Sequence, residues 1–306
     1  MKLNVGVPKS MKVAAMVQPW EDKLDGTDVG RLMAAVDAMG FNKCMLGEHF
    51  IIPKEHIELS GDWYFHTVVA LGYIGGQTKN LRLSSSVSIL PLQNPIVQAK
   101  GWSTLDWLTG GRAEAMFGVG WLKEEFDILG VPFKKRGRMA DEYVAAIIEL
   151  WTKDDPEFEG EFVNFKNCGF APKPIQQPRI PIWFGGDAEP VLKRVAKFGD
   201  GWSPFRTPPE TFPDCIDLIK SQPEYDGRPL HFFFALEMLN VGAHHEILDD
   251  PRAPGTGDKQ KIIDQIGWLK ELGITETIVP LPPGLKDAQA WIDRQQWVAE
   301  EIMPAI

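Results

Sequence analysis

Residues 81–118 read LRLSSSVSILPLQNPIVQAKGWSTLDWLTGGRAEAMFG, and this stretch decides the fold class. Leu81–Val87 is a short strand-like run without strict alternation, the pattern of a strand covered on both faces. Asn94 is a helix N-cap, and Pro95 sits at the first helical position, where its missing N–H is not needed. The helix runs Pro95–Leu108. Gly110 and Gly111 supply the positive φ that ends it, and Arg112–Gly118 starts a new strand.

The same alternation continues in both directions. Further strands are expected at Lys12–Gln18, Asn42–Gly47, Ile180–Phe184, Gly201–Ser203, His231–Met238 and Thr275–Val279. Helices are expected at Asp28–Met39, Trp63–Gly75, Arg138–Trp151, Ala188–Phe198, Pro209–Lys220, Asp258–Leu272 and Asp287–Ile302. In Arg138–Trp151, Val144, Ile147, Ile148 and Trp151 fall at helical spacing and face the core. Eight strands alternating with eight helices predict an α/β fold, a (β/α)8 TIM barrel forming one domain over residues 1–306. Two stretches exceed ordinary loops and read as insertions: Gly120–Gly137 after strand 4, and Thr152–Pro178 after helix 4. The second carries four prolines around Glu161–Phe165, where a β-hairpin fits.

Composition narrows the partner. The 306 residues carry a net charge of −10 with 44% hydrophobic residues, globular values with no long basic run, so neither nucleic acid nor an anionic membrane surface is the expected partner. A small-molecule substrate is expected instead. Cys44, Cys168 and Cys215 are an odd number at wide spacing and read as free thiols. Neither a signal peptide nor a run near the roughly 18 apolar residues of a membrane span is present, and a cytoplasmic location is expected.

Common catalytic signatures are absent from the sequence. Gly118-Val119-Gly120 is followed by Trp121 and not by the third glycine of a dinucleotide fingerprint, and there is no P-loop, G-x-S-x-G or H-E-x-x-H. Of the six histidines only His244 and His245 are close in sequence, and neighbours on an extended chain point to opposite faces; no metal site is expected. Three strand ends stand out: Gly47-Glu48-His49-Phe50, Ser84 through Pro91, and Gly118-Val119-Gly120-Trp121. On a barrel they gather around one mouth, where a histidine can give or take a proton near neutral pH. The competing reading of His49 is a backbone-bonded cap of the barrel.

The stretches LRLSSSVSILPLQNPIVQAK, LDWLTGGRAEAMFGVGWLKEEFDILGVPF and RGRMADEY, within Leu81–Trp151, together with KPIQQPRIPIWFGGDAEPVLKRVAKFGDGW at 173–202, resemble the bacterial luciferase-like superfamily. They are most similar to its branch described as dependent on coenzyme F420, a deazaflavin. The resemblance runs from about Met11 to Trp202. It implies a (β/α)8 barrel that binds reduced FMN or the deazaflavin at the C-terminal mouth. On this basis Glu48 and His49 correspond to the family's acidic-histidine pair, and Ser86–Val87 to its non-prolyl cis peptide. Gly120 and Trp121 lie beside the cofactor, and Gly185, Gly186, Asp187 and Ala188 form its phosphate loop. Glycines and a helix N-terminus suit an anion, with the contact expected from main-chain amides; Asp187 reads equally well as a plain N-cap.

The implied activity is deazaflavin-dependent hydride transfer to a small organic substrate. The alternatives are an FMN-dependent monooxygenase using dioxygen and a non-catalytic flavin-binding relative. Trp121 stands where deazaflavin-dependent sugar-phosphate dehydrogenases of the superfamily carry a glutamate, which argues against that reaction. Glu124 and Glu125 read as solvated residues of a helical turn. Lys134, Lys135, Arg136 and Arg138 either hold the cofactor's anionic tail or form a solvated basic surface. Trp20, Trp121 and Trp202, near strand ends, are candidates to wall an apolar pocket formed with the loops Trp20–Thr27, Ile51–Gly61 and Arg206–Pro209. A homodimer is the family precedent.

Overall fold

The computed structural model describes residues 1–13, 17–240 and 257–306. In chain order the strands are β1 (Lys2–Leu3), β2 (Val5–Gly6), β3 (Lys43–Leu46), β4 (Arg82–Ser85), β5 (Ser88–Ile89), β6 (Ala113–Gly118), β7 (Phe158–Glu159), β8 (Asn164–Phe165), β9 (Ile182–Gly185), β10 (Gly201–Ser203), β11 (His231–Phe232) and β12 (Glu276–Thr277). The α-helices are α1 (Gly26–Ala38), α2 (Ile57–Ser60), α3 (Thr67–Gln77), α4 (Pro95–Leu108), α5 (Lys123–Ile128), α6 (Arg136–Thr152), α7 (Glu189–Phe198), α8 (Phe212–Lys220), α9 (Lys259–Glu271) and α10 (Ala288–Trp297).

Seven strands form one parallel path, β2-β3-β4-β6-β9-β10-β11, with β5 added against β6. β12 pairs in parallel with β1, and Phe233, next to β11, bridges Glu276 of β12. Because the ladder is parallel, every strand presents its C-terminal end to the same side, and the following loops collect there.

Side chains along each central strand alternate between two apolar environments. Cys44, Leu46, Ala115, Phe117, Ile182 and Phe184 join the large core beneath the helices, whereas Met45, Met116 and Trp183 form a second cluster with Phe233 and Ala235. Burial on both faces explains why these strands lack the polar alternation of a half-exposed sheet. At the N-terminal end of the same interior, Lys43 pairs with both Glu114 and Glu276, Arg82 pairs with Glu114, and Lys43 lies 4.0 Å from the Trp183 ring centroid. Asn4 Nδ2 donates to Glu276 Oε2 at 2.8 Å, so every charge in this buried layer has a partner.

Several sequence-derived boundaries hold. The Asn94 side chain accepts from the Ile96 N–H at 2.9 Å ahead of Pro95, and Gly110 and Gly111 take φ of +68° and +84°. The hairpin expected around 161–165 is β7 paired antiparallel with β8. Three expectations are corrected. The first strand is not Lys12–Gln18 but β1 and β2, where Leu3 and Val5 are buried. Met11 makes only an isolated bridge to Tyr64, and residues 14–16 lie outside the described set. The helix placed at Trp63–Gly75 begins at Thr67, since Trp63 and Tyr64 are spent on contacts to Lys9 and Ser60 carbonyls. The long strand His231–Met238 is shortened to β11 and the bridge at Phe233, because Leu236–Asn240 turn into a 3-10 helix.

Candidate active site

The Glu48-His49 pair follows β3, and the two side chains part company. Glu48 is buried, with Oε1 accepting from Ser88 Oγ at 2.8 Å and Oε2 from Gln93 Nε2 at 3.1 Å. Burial pushes its carboxyl up to about 7, against the opposing effect of these hydrogen bonds. It therefore braces the segment after β4 and does not join His49. The Ser86–Val87 peptide in that segment is cis, as the resemblance implied.

His49 turns instead toward the loop after β6. Its Nδ1 lies 2.7 Å from Glu125 Oε2, and its ring meets Tyr64 edge-on at 4.9 Å and Trp121 at 6.0 Å between centroids. Glu125 is 0% exposed, which corrects the solvated reading of this residue. Its second oxygen accepts from the N–H groups of Phe50 at 2.7 Å and Ile51 at 3.4 Å. Burial, with the Glu125 charge adding to it, pushes the Tyr64 hydroxyl up to about 12, so this phenol keeps its proton. Glu124 does face outward and lies 3.6 Å from His56 Nε2. Trp121, half exposed, is met edge-on by both His49 and His56.

Gly120 makes this loop possible. Its φ is +78°, and an added Cβ would lie 2.6 Å from the Phe126 ring and 2.8 Å from Ile89. Arg136 Nε donates to the Gly120 carbonyl at 3.1 Å and stacks on Phe133, tying α6 to the loop. The basic cluster is largely engaged: Lys135 and Arg138 each pair with Glu161 at 3.0 Å. Lys134 is exposed and has no ion-pair partner among the described residues.

The turn from β9 into α7 has the form of an anion cradle. Gly186 adopts φ +125°, its carbonyl accepts from Trp202 Nε1 at 2.9 Å, and its N–H donates to the Ser203 carbonyl at 3.1 Å. Asp187 does not turn its carboxylate into the cradle: Oδ1 accepts from the N–H groups of Phe205, Arg206 and Thr207 at 2.8–3.1 Å and from Thr207 Oγ1 at 2.8 Å. It is a clamp on the neighbouring loop and not the helix N-cap, a position held by Ala188. The N–H groups of Asp187, Ala188 and Glu189 donate to no protein group among the described residues, which leaves the helix N-terminus open to a phosphate. Gly118 and Gly185 complete the surround by making room for Val87: a Cβ on either would fall within 2.5 Å of a Val87 methyl. These residues fit a phosphate-bearing flavin-type cofactor at the strand ends.

Of the tryptophans singled out, Trp20 and Trp202 are core residues and only Trp121 reaches the surface. His244 and His245 lie outside the described residues, and among the described residues no group of three or more His, Cys, Asp or Glu is placed to hold a metal. The three cysteines are free. Among the described residues no helix is long and apolar enough to cross a membrane.

Residues 10–239 match the model of the luciferase-like monooxygenase family, and the chain belongs to that family; it is an oxidoreductase. An uncharacterised protein of Mycobacterium tuberculosis is 33% identical over 293 residues, covering 90% of this chain and 94% of the relative. Two solved structures share the fold. The coenzyme F420-dependent tetrahydromethanopterin reductase of Methanopyrus kandleri superposes with a TM-score of 0.73 at 17% identity, covering 99% of this chain and 98% of the reductase. The oxygenating constituent of 3,6-diketocamphane monooxygenase from Pseudomonas putida, in complex with FMN, gives 0.72 at 14% identity over 100% and 99% of the two chains.

Proposed function

We propose that the chain closes into a single (β/α)8 barrel and uses a reduced deazaflavin, coenzyme F420, to transfer hydride to a small organic substrate at the C-terminal mouth. The observation that carries this reading is the presence, at one end of a parallel sheet, of an imidazole and a helix N-terminus whose Nε2 and three amides have no hydrogen-bond partner among the described residues. The main-chain N–H groups of Asp187, Ala188 and Glu189 hold the cofactor phosphate, Val87 and Trp121 bound the ring, and Gly120 lets the loop approach it. A deazaflavin bound there supplies hydride from its C5. His49, protonated on both ring nitrogens, gives from Nε2 the proton that the substrate takes up as it accepts hydride and keeps the proton on Nδ1, and Tyr64 and Trp121 limit water around Nε2. Glu48 shapes the segment carrying Ser86 and Val87 and stays out of the proton transfer.

A second reading, an FMN-dependent monooxygenase, is favoured by the engagement of Lys135 and Arg138 with Glu161, which leaves little free positive charge for a polyanionic tail. Fluorescence titration of the protein with FMN and with F420 at low salt separates them. Tighter F420 binding supports hydride transfer; tight FMN binding with no detectable F420 binding reverses the order. For either cofactor, His49→Ala is expected to slow substrate-dependent consumption of the reduced form about a hundredfold with the fold intact. Binding of a cofactor with no turnover, unaltered by that substitution, would make the protein a non-catalytic binder.

A further inference from the structure

We infer that Glu125 is a positioning residue that fixes the tautomer of His49, an inference that rests on the proton-transfer role of His49 above. The two residues lie on different segments, one in the loop following β3 and the other in α5 after β6, and they meet through a short, part-buried contact. Glu125 has two oxygens with separate duties. Oε1 takes the main-chain N–H groups of Phe50 and Ile51, and Oε2 faces His49 Nδ1. A carboxylate only accepts hydrogen bonds, so in the neutral ring the proton must sit on Nδ1. Nε2 is then left without a proton, and it has no hydrogen-bond partner among the described residues. The ring cannot readily swing away, because Tyr64 and Trp121 stand edge-on to it and its side chain is 10% exposed.

The arrangement of the two oxygens makes the substitution Glu125→Gln unusually informative. The side-chain carbonyl of glutamine can keep the Phe50 and Ile51 N–H groups, which anchors the loop as before. Its NH2 group then points at Nδ1 and donates to it, which moves the ring proton to Nε2. Loop anchoring and tautomer control are thereby separated. In serine-hydrolase triads an amide in place of the orienting carboxylate leaves the geometry intact, fixes the wrong tautomer and costs on the order of 10⁴ in turnover. A loss of the same kind, on the order of 10²–10⁴, is expected here in substrate-dependent oxidation of the reduced cofactor, with KM changed far less than kcat. The substrate that accepts hydride takes its proton from Nε2 of the doubly protonated ring, which reverts to the Nδ1–H form, and an amide NH2 facing Nδ1 opposes that double protonation.

The test is 15N NMR of uniformly 15N-labelled protein, read with no cofactor bound, and the His49 ring resonances assigned by their loss in His49→Gln. The neutral His49 ring of the unaltered protein is expected to carry its proton on Nδ1, and that of Glu125→Gln on Nε2, while the Phe50 and Ile51 amide shifts stay in place. An Nε2-protonated ring in the unaltered protein overturns the inference without any variant being made. An unchanged tautomer in a folded Glu125→Gln protein overturns it as well and reduces Glu125 to a loop anchor. Failure of the functional reading shows separately, as full activity of His49→Ala.

Discussion

Val87 lies with its two methyl groups against the bare α-carbons of Gly118 and Gly185: a Cβ on Gly185 would stand 2.4 Å from Cγ1, and one on Gly118 2.5 Å from Cγ2. Three strand ends are locked together by this one side chain, since Val87 follows β4 while the glycines end β6 and β9. A β-branched residue is stiff at χ1 and cannot rotate out of the way cheaply.

Gly185→Ala is therefore expected to cost about 1–3 kcal/mol, the usual range for overpacking a filled site, and, on the proposed function, to weaken cofactor binding. Val87→Ala removes both methyls that clash. The double variant should regain at least half of the loss, a coupling that denaturant unfolding of the four proteins measures directly. Strictly additive effects would mean that the backbone, and not Val87, sets the geometry here.

Stability should also fall with rising pH in a defined window. Burial raises Glu48 to about 7 and Glu237 to about 7, from ordinary values near 4.5. A carboxyl with a raised folded-state pKa binds its proton more tightly when folded. Its contribution is complete below the unfolded value and is lost as pH climbs from about 4.5 through 7. Glu48→Gln should leave stability near pH 4.5 almost unchanged and raise it at pH 8 by on the order of 1–3 kcal/mol, as Gln93 turns its amide to meet the new NH2. Glu237 maintains a residual slope in the same direction. Equal stability curves for the two proteins from pH 4.5 to 8 would show that Glu48 titrates in the folded protein as it does in the unfolded chain.

The strand ends could be located from sequence because short apolar strands and capped helices alternate with little interruption, and position at a strand end is a matter of counting. His49, Ser86, Val87 and the Gly185–Gly186 turn emerged in this way, or from the family likeness laid on it. Glu125 did not, because LKEEFD has the composition of a solvated turn. The signal that reveals it is geometric: Leu122, Glu125 and Phe126 stand at i, i+3 and i+4 and are all buried, so one face of this short helix points inward and carries a carboxylate with it. The first strand was missed for the opposite reason. Asn4, at the N-terminal strand pair, looks like a loop residue until Glu276, 272 positions away, is seen to take its amide. Long-range polar pairing of this sort leaves no periodicity in the sequence.

Positive charge beside the Gly120 loop is held in check by Glu161. Glu161 accepts both Lys135 and Arg138, all three being well exposed. Glu161→Gln is expected to raise F420 affinity by about two- to fivefold at low salt, consistent with the small energies of exposed ion pairs, and the gain should fade by physiological ionic strength. FMN affinity, which the proposed function assigns to the α7 amides, should hardly respond. Arg136 is unsuited to the same test, since its guanidinium also supports the Gly120 carbonyl. An equal response of both cofactors would place Lys135 and Arg138 at the common phosphate and not at the tail.

Trp121 gives the last prediction, which concerns selectivity. Its ring is half exposed and stands between His49 and His56, a placement that offers an apolar wall to whatever approaches the free imidazole nitrogen. Trp121→Ala should raise KM for an apolar or aromatic substrate by roughly tenfold, in line with about 1–1.5 kcal/mol for one lost aromatic contact, and should lower kcat less. Trp121→Glu introduces the acidic residue that the family resemblance places here in sugar-phosphate dehydrogenases. It is expected to impair the native reaction without creating theirs, because a carboxylate beside the buried Glu125 is repelled by it and has to turn outward past His56 toward solvent. Steady-state kinetics over a panel of carbonyl substrates of increasing polarity measures both effects. A uniform fall in kcat with unchanged KM across the panel would move Trp121 from the substrate wall to the packing that holds His49.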